Sequence, residues 1–314
     1  MNTKNIKSKK KYVYCYVALI FFLVVLLPLM ATRIFHSVKT PSPGEGSVTI
    51  PSEIRLYRTA SKTYDTLGFE EYVAGVVAAE MPESFEKEAL KAQAVASRTY
   101  ALGRVSAGRK LCDSVHCQAY REDNISRKVR KAVEETKGQI LMYDGRLAAS
   151  ALYFSSSGGD TENSEDVFMT PQPYLVSVSS DYEPGATHRN EKKTMKLSHF
   201  SAQIKESFPE LDFGIINESS IVIRSHSRGG RVDKIKVGNQ TLTGTDIRRA
   251  FNLSSSRFKL SFDKGKITLI SNGCGHGVGM SQYGANGMAK KGKSYLEILS
   301  HYYSHTEVKK AKNR

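Results

Sequence analysis

The segment Ser84–Gly103, SFEKEALKAQAVASRTYALG, constrains the fold more than any other part of the chain. Ala89, Ala92, Ala94, Ala96 and Ala101 make it a strong helix former, and their short side chains let neighbouring elements approach closely. Pro82 lies in its start region and Gly103 is expected at its stop. Before it, Ile54–Arg58 and Thr63–Leu67 read as short strands and Phe69–Glu80 as a helix. After it, Ile125–Thr136 is a more polar helix. Gln139–Tyr143 and Leu147–Phe154 form a hairpin across Asp144-Gly145. A second hairpin joins Ser219–Ser225 to Val232–Val237, and a third joins Arg257–Phe262 to Lys266–Ile270. Thr245–Phe251 and Tyr295–Tyr303 read as helices. Strands arriving as hairpins predict an α+β fold, with largely antiparallel sheets and helices packed around a central groove.

Charge is unevenly placed. The chain of 314 residues carries a net +15, and its first 44 residues hold seven Lys/Arg and no acid. The remainder is at +8, which suits an anionic polymer as partner. No basic helix or basic run interleaved with aromatics is present, so nucleic acid is not expected. Tyr12–Ala31 has no charge and follows Lys9, Lys10 and Lys11. It is long enough to cross a bilayer, and the basic flank predicts a cytoplasmic N-terminus. A cleaved signal peptide shares this design, but the small-x-small pattern is not clean around Met30–Thr32, which favours an uncleaved anchor. Cys15 falls in that segment. Cys112 and Cys117 bracket His116, and three readings stay open: a disulfide, part of a zinc site, or unbridged thiols.

One carboxylate stands out. At about 100° per residue, Phe69, Val73, Val76 and Val77 share a helix face, and Glu80 continues that apolar stripe at the helix C-terminus. Burial and the negative end of the helix dipole both raise its pKa, as a general acid requires. The bland alternative is that the helix ends early and Glu80 turns to solvent. On the alanine-rich helix, Lys91 and Arg98 share a face, and Gln93, Ser97 and Tyr100 form another polar stripe. Lys91 is readily explained by surface exposure. Arg98, amid Ala94, Val95 and Leu102, is expected either to pair with a carboxylate or to bind a ligand oxygen. Tyr153-Phe154-Ser155-Ser156-Ser157-Gly158-Gly159 ends a strand with hydroxyls suited to a polyhydroxylated ligand, or is a plain loop. Gly273–Gly284, GCGHGVGMSQYG, lacks both a βαβ context and a Gly-Lys-Ser/Thr, so it is no nucleotide loop.

Three motifs together resemble one family. They are Val77–Pro82 running into Glu88–Tyr100, then Ser155–Glu162, and finally Gly275–Gly284. Over residues from about 50 to 305 the chain is similar to the stage II sporulation protein D and amidase-enhancer family of cell-wall proteins. The resemblance implies a lytic transglycosylase of spore engulfment, cutting peptidoglycan glycan between N-acetylmuramic acid and N-acetylglucosamine. Glu80 would be its catalytic acid. Lys91, Arg98, Tyr153, Ser155, Ser156, His276, Ser281, Gln282 and Tyr283 would line the substrate groove. No cofactor is expected; metal binding near the active site occurs in some members of the family, but the resemblance assigns no ligand set to this chain. Implied partners are glycan stripped of stem peptides, stage II sporulation protein P (an amidase) and stage II sporulation protein M (a membrane scaffold). The expected layout is a cytoplasmic basic tail at 1–11, a transmembrane anchor at 12–34 and a linker at 35–47. An extracytoplasmic catalytic domain at 48–305 and a basic tail at 306–314 follow. The runner-up is a glycan-binding module that enhances a separate amidase without cutting. A peptidase using Ser155–Ser157 or Cys274 is a third class.

Overall fold

In the computed structural model, residues 48–313 are described. The segments expected as basic tail, membrane anchor and linker lie outside the described residues. Within those residues, no helix is long and apolar enough to cross a membrane.

The helices follow in chain order: α1 (Phe69–Glu80), α2 (Lys87–Ser106), α3 (Arg127–Glu135), α4 (Ser164–Phe168), α5 (Leu197–Ser207), α6 (Gly244–Ala250), α7 (Gln282–Lys290) and α8 (Tyr295–Tyr302). The alanine-rich helix α2 is central, with α1, α3, α7, α8 and the strand Gln139–Tyr143 packed around it. Its small side chains make this possible: Ala89, Ala92, Ala94 and Ala96 have no exposed surface. Gly103 does not stop the helix, which runs on to Ser106. A Cβ at Gly103 would lie 2.7 Å from the Ala149 carbonyl oxygen, so the residue admits a crossing chain rather than ending the helix. Pro82 follows α1, and the residue before a proline resists helical geometry; Met81 is extended, at φ −123° and ψ 139°.

The sheets are mostly antiparallel. Glu53–Tyr57 pairs with Tyr64–Gly68, and Phe258–Asp263 pairs with Lys266–Ser271 around a two-residue turn, much as the sequence predicts. Three differences matter. Across its turn Gln139–Tyr143 meets the short Arg146–Leu147, and Tyr153–Phe154 leaves that hairpin to pair in parallel with Met280–Ser281. Glu191–Lys196, EKKTMK, forms an antiparallel strand beside Lys266–Ser271, although its sequence has no apolar alternation. Thr306–Lys310, read from its charge as part of a tail, is instead an antiparallel partner of Gln139–Tyr143.

Two hydrophobic cores result. The larger surrounds α2 and collects α1, α3, α7 and α8. The smaller lies within 191–271, between the sheet Glu191–Lys196, Phe258–Asp263, Lys266–Ser271 and the sheet Ile221–His226, Val232–Val237, Gln240–Thr243. A buried ion pair joins their surroundings: Arg231 Nη1 lies 3.3 Å from Glu162 Oε1, with side chains 3% and 1% exposed.

Candidate functional site

The last turn of α1 delivers Glu80 to the floor of an open groove. The helix is buried on nearly every side, so its end cannot swing into solvent. Glu80 Oε1 accepts a hydrogen bond from the Ala119 backbone N–H at 2.7 Å. Oε2 accepts one from Gln282 Nε2 at 3.1 Å. Burial pushes the carboxyl above its ordinary pKa, while the two donors pull it back down, and burial prevails. Burial is the cause legible in the helix face. The two donors come from segments 39 and 202 residues away and carry no local signal.

The strap that supplies Ala119 is held from both sides. Gln118 Nε2 donates to the Tyr72 hydroxyl at 3.0 Å, and the Tyr153 hydroxyl donates to Gln118 Oε1 at 2.6 Å. Ser97 Oγ reaches the Tyr153 hydroxyl at 3.4 Å, and Gln93 Nε2 donates to Ser97 at 2.9 Å. The polar stripe on α2 therefore ends in a side-chain network behind Glu80. Tyr153 is turned into it, and burial, reinforced by the Glu80 charge, keeps its phenol protonated. Cys112 and Cys117 face each other with sulfurs 2.6 Å apart. No cluster of three or more His, Cys, Asp and Glu placed to hold a metal occurs among the described residues.

The parallel pairing of Tyr153–Phe154 with Met280–Ser281 brings the serine run against the glycine stretch. Ser156 and Cys274 exchange backbone hydrogen bonds at 3.1 and 2.8 Å. Behind them the buried Glu183 accepts from Ser157 N–H at 2.8 Å and Gly158 N–H at 3.1 Å, and from the Ser281 hydroxyl. Ser281 also caps α7, accepting from Gly284 N–H at 3.1 Å. His276 packs between Phe154 and Phe168, and its Nδ1 accepts from Val278 N–H at 3.1 Å. Burial, with help from Arg231 and Arg248, lowers its pKa to about 4, so the ring is neutral near pH 7. Gly277 has φ +90°, and a Cβ there would meet the Arg231 guanidinium at 2.2 Å. That position must be glycine for the loop to close over the buried ion pair.

Two adjoining cavities of 580 Å³ each meet at Glu80, Ser155 and Gln282, which line both. Tyr283 lines the first, edge-on to Phe85 at 5.1 Å. Tyr153 and His276 line the second. Four of the expected residues line neither. Arg98 is fully buried: its Nε and Nη2 grip Glu70 at 2.9 and 2.6 Å, and Nη1 donates to the Gln139 carbonyl at 3.1 Å. It pairs with a carboxylate, one of the two uses expected of it, and locks α1 to α2. Lys91 lies between Glu88 and Glu135, over the Tyr295 ring. Ser156 and Ser281 are buried in the loop scaffold. Residues unmarked by sequence reasoning also line the groove: Gln118, Ala119, Arg121, Phe168 and Thr187. Only their tertiary placement reveals them.

Fold and groove define a class of α+β protein that presents one half-buried carboxylic acid in an open groove with polar and aromatic walls. The chain belongs to the stage II sporulation protein D family. The family profile, stage II sporulation protein, matches residues 57–143. Stage II sporulation protein D of Bacillus subtilis (strain 168) is 35% identical over 300 residues, covering 88% of this chain and 85% of that protein. Its counterpart from Bacillus amyloliquefaciens is 34% identical, covering 86% and 81%. The amidase enhancer of Bacillus subtilis (strain 168) is 30% identical, covering 74% of this chain and 40% of that protein.

Proposed function

We propose that this chain is a membrane-anchored lytic transglycosylase acting on peptidoglycan glycan during spore engulfment, with Glu80 as general acid and then base. The observation that carries the reading is the environment of Glu80. Burial raises its pKa and so favours the protonated form that a general acid needs, while the Ala119 and Gln282 donors stabilise the anion it becomes. In the first step Glu80 donates its proton to the glycosidic oxygen as the bond to muramic acid C1 breaks. In the second the Glu80 carboxylate takes the proton of the C6 hydroxyl while that oxygen bonds to C1. The product is a 1,6-anhydro sugar, no water is consumed, and the acid is regenerated. A second carboxylate, which hydrolytic glycosidases need, is not required. Ser155, Gln282 and Tyr283, with His276 and the inward-turned Tyr153, are the residues we assign to the glycan groove. The uncharged stretch Tyr12–Ala31 supports an anchor with residues 48–313 outside the cytoplasm, and the family name supports a role in sporulation.

The test is product analysis on glycan strands freed of peptide. Wild-type protein is expected to yield anhydro ends by mass spectrometry, and Glu80→Gln about 10²–10⁴ times less. Hydrated reducing ends would identify a hydrolase. Similarity to an amidase enhancer keeps a second reading open, in which the chain binds glycan and stimulates an amidase such as stage II sporulation protein P. Increased amidase rates with no anhydro product from this chain would establish it. Stage II sporulation protein M is the further partner proposed, as a membrane scaffold.

A further inference from the structure

Of the residues lining the two cavities, Arg121 alone is a lysine or arginine, and its side chain forms no ion pair among the described residues. The strap that carries it also holds Glu80. Ala119 N–H binds Glu80, Tyr120 stacks on Tyr72 at 5.5 Å, and Arg121 N–H donates to the Gly75 carbonyl at 3.3 Å. Acid and cation are thus set by neighbouring residues clamped to the same helix, α1. Lys91 and Arg98, the other cations near in sequence to the motif, are engaged by Glu88, Glu135 and Glu70. Glu83 also lines the first cavity, so among the described residues that line it Arg121 is the one basic side chain that can attract an anionic group.

We propose that the Arg121 end of the groove, with the Thr187 and Ser155 hydroxyls on the same cavity, is a carboxylate subsite for the lactyl group of muramic acid. A guanidinium matches a carboxylate with two parallel hydrogen bonds, which a sugar hydroxyl cannot reproduce. While a peptide is attached, the lactyl carboxyl is a neutral amide. Once the peptide is removed it is an anion. Arg121 therefore distinguishes stripped glycan from peptide-bearing glycan at the position beside the acid. This rests on the glycan-cleaving reading above and adds the group that selects the substrate.

The test reads binding, without cleavage, in full-chain Glu80→Gln protein titrated by calorimetry. The ligands are a short glycan with free lactyl carboxylates, the same glycan with those groups converted to primary amides, and a peptide-bearing glycan. The free-carboxylate glycan is expected to bind about tenfold or more tighter than the amide. Adding Arg121→Gln, an exposed position whose fold is checked by circular dichroism, is expected to abolish that difference, and Arg121→Lys to retain part of it. Equal weakening of both ligands, or no change in either, overturns the subsite. So does peptide-bearing glycan binding as tightly as the free acid through Arg121, because the group read would then be a peptide carboxylate. If the carboxylate is discriminated but wild-type protein yields no anhydro ends, the subsite stands and only the transglycosylase reading falls.

Discussion

At Glu80, burial and hydrogen bonding pull in opposite directions, and their balance fixes how the residue behaves with pH. Burial favours the proton, so the folded pKa lies above the unfolded one. The stability this contributes is fully present below the ordinary carboxylate range and is lost as pH rises through the raised value. Thermal melts of wild type and Glu80→Gln are therefore expected to show the wild type losing ground to the variant as pH rises. Cleavage by the variant should fall by about 10²–10⁴, the usual contribution of a positioned acid. His276 has the opposite sign. Its folded pKa is lowered to about 4, so the stability of its neutral ring is present above the ordinary histidine range and is lost as pH falls through about 4. Denaturant unfolding at several pH values is expected to show a flatter acid limb in His276→Gln. Glu80 was legible as a candidate because one helical period places it on an apolar stripe. His276 was legible only as a polar residue among glycines, since the Phe154 and Phe168 rings that desolvate it come from other parts of the chain.

At the scale of elements, α2 shows where local signals mislead. Its alanines specify a helix, and it forms; Gly103 reads as a stop, yet the helix continues. Replacing a helical glycine by alanine ordinarily gains about 1 kcal/mol. Here the new methyl would sit 2.7 Å from the Ala149 carbonyl, and overpacking costs about 1–3 kcal/mol. Gly103→Ala is therefore expected to lower the denaturant midpoint rather than raise it. The strand Tyr153–Phe154 makes the same point. The Asp144-Gly145 turn suggests that Leu147–Phe154 is a hairpin arm, but its end pairs with Met280–Ser281, and the buried Glu183 there satisfies amides of the serine run and the Ser281 hydroxyl together.

At the scale of the whole molecule, the buried Glu162–Arg231 pair joins the surroundings of the two cores, beneath the glycine stretch. Removing one partner of a buried pair leaves a charge uncompensated and costs about 3–5 kcal/mol, whereas replacing both by apolar groups is often neutral. Glu162→Gln alone is expected to destabilise strongly in chemical denaturation, and Glu162→Leu with Arg231→Met to recover much of the loss. Recovery absent in the double variant would show that the pair holds the loop by specific hydrogen bonding rather than by charge balance. Glu162 closes the Ser155–Glu162 motif, but nothing local in the sequence singles out Arg231 as its partner, 69 residues on.

The sequence by itself determined the elements with a strong local period or turn, the α+β class, and Glu80 as a candidate acid. These follow from interactions within a few residues: helical spacing, two-residue turns and the restriction imposed by Pro82. Tertiary structure decided which polar groups surround that acid. It brought Ala119 and Gln282 to the carboxylate, withdrew Arg98 into a pair with Glu70, and placed Arg121 on the wall of the groove. Such outcomes depend on which distant groups compete for each buried charge, and that competition exists only once the chain has closed on itself.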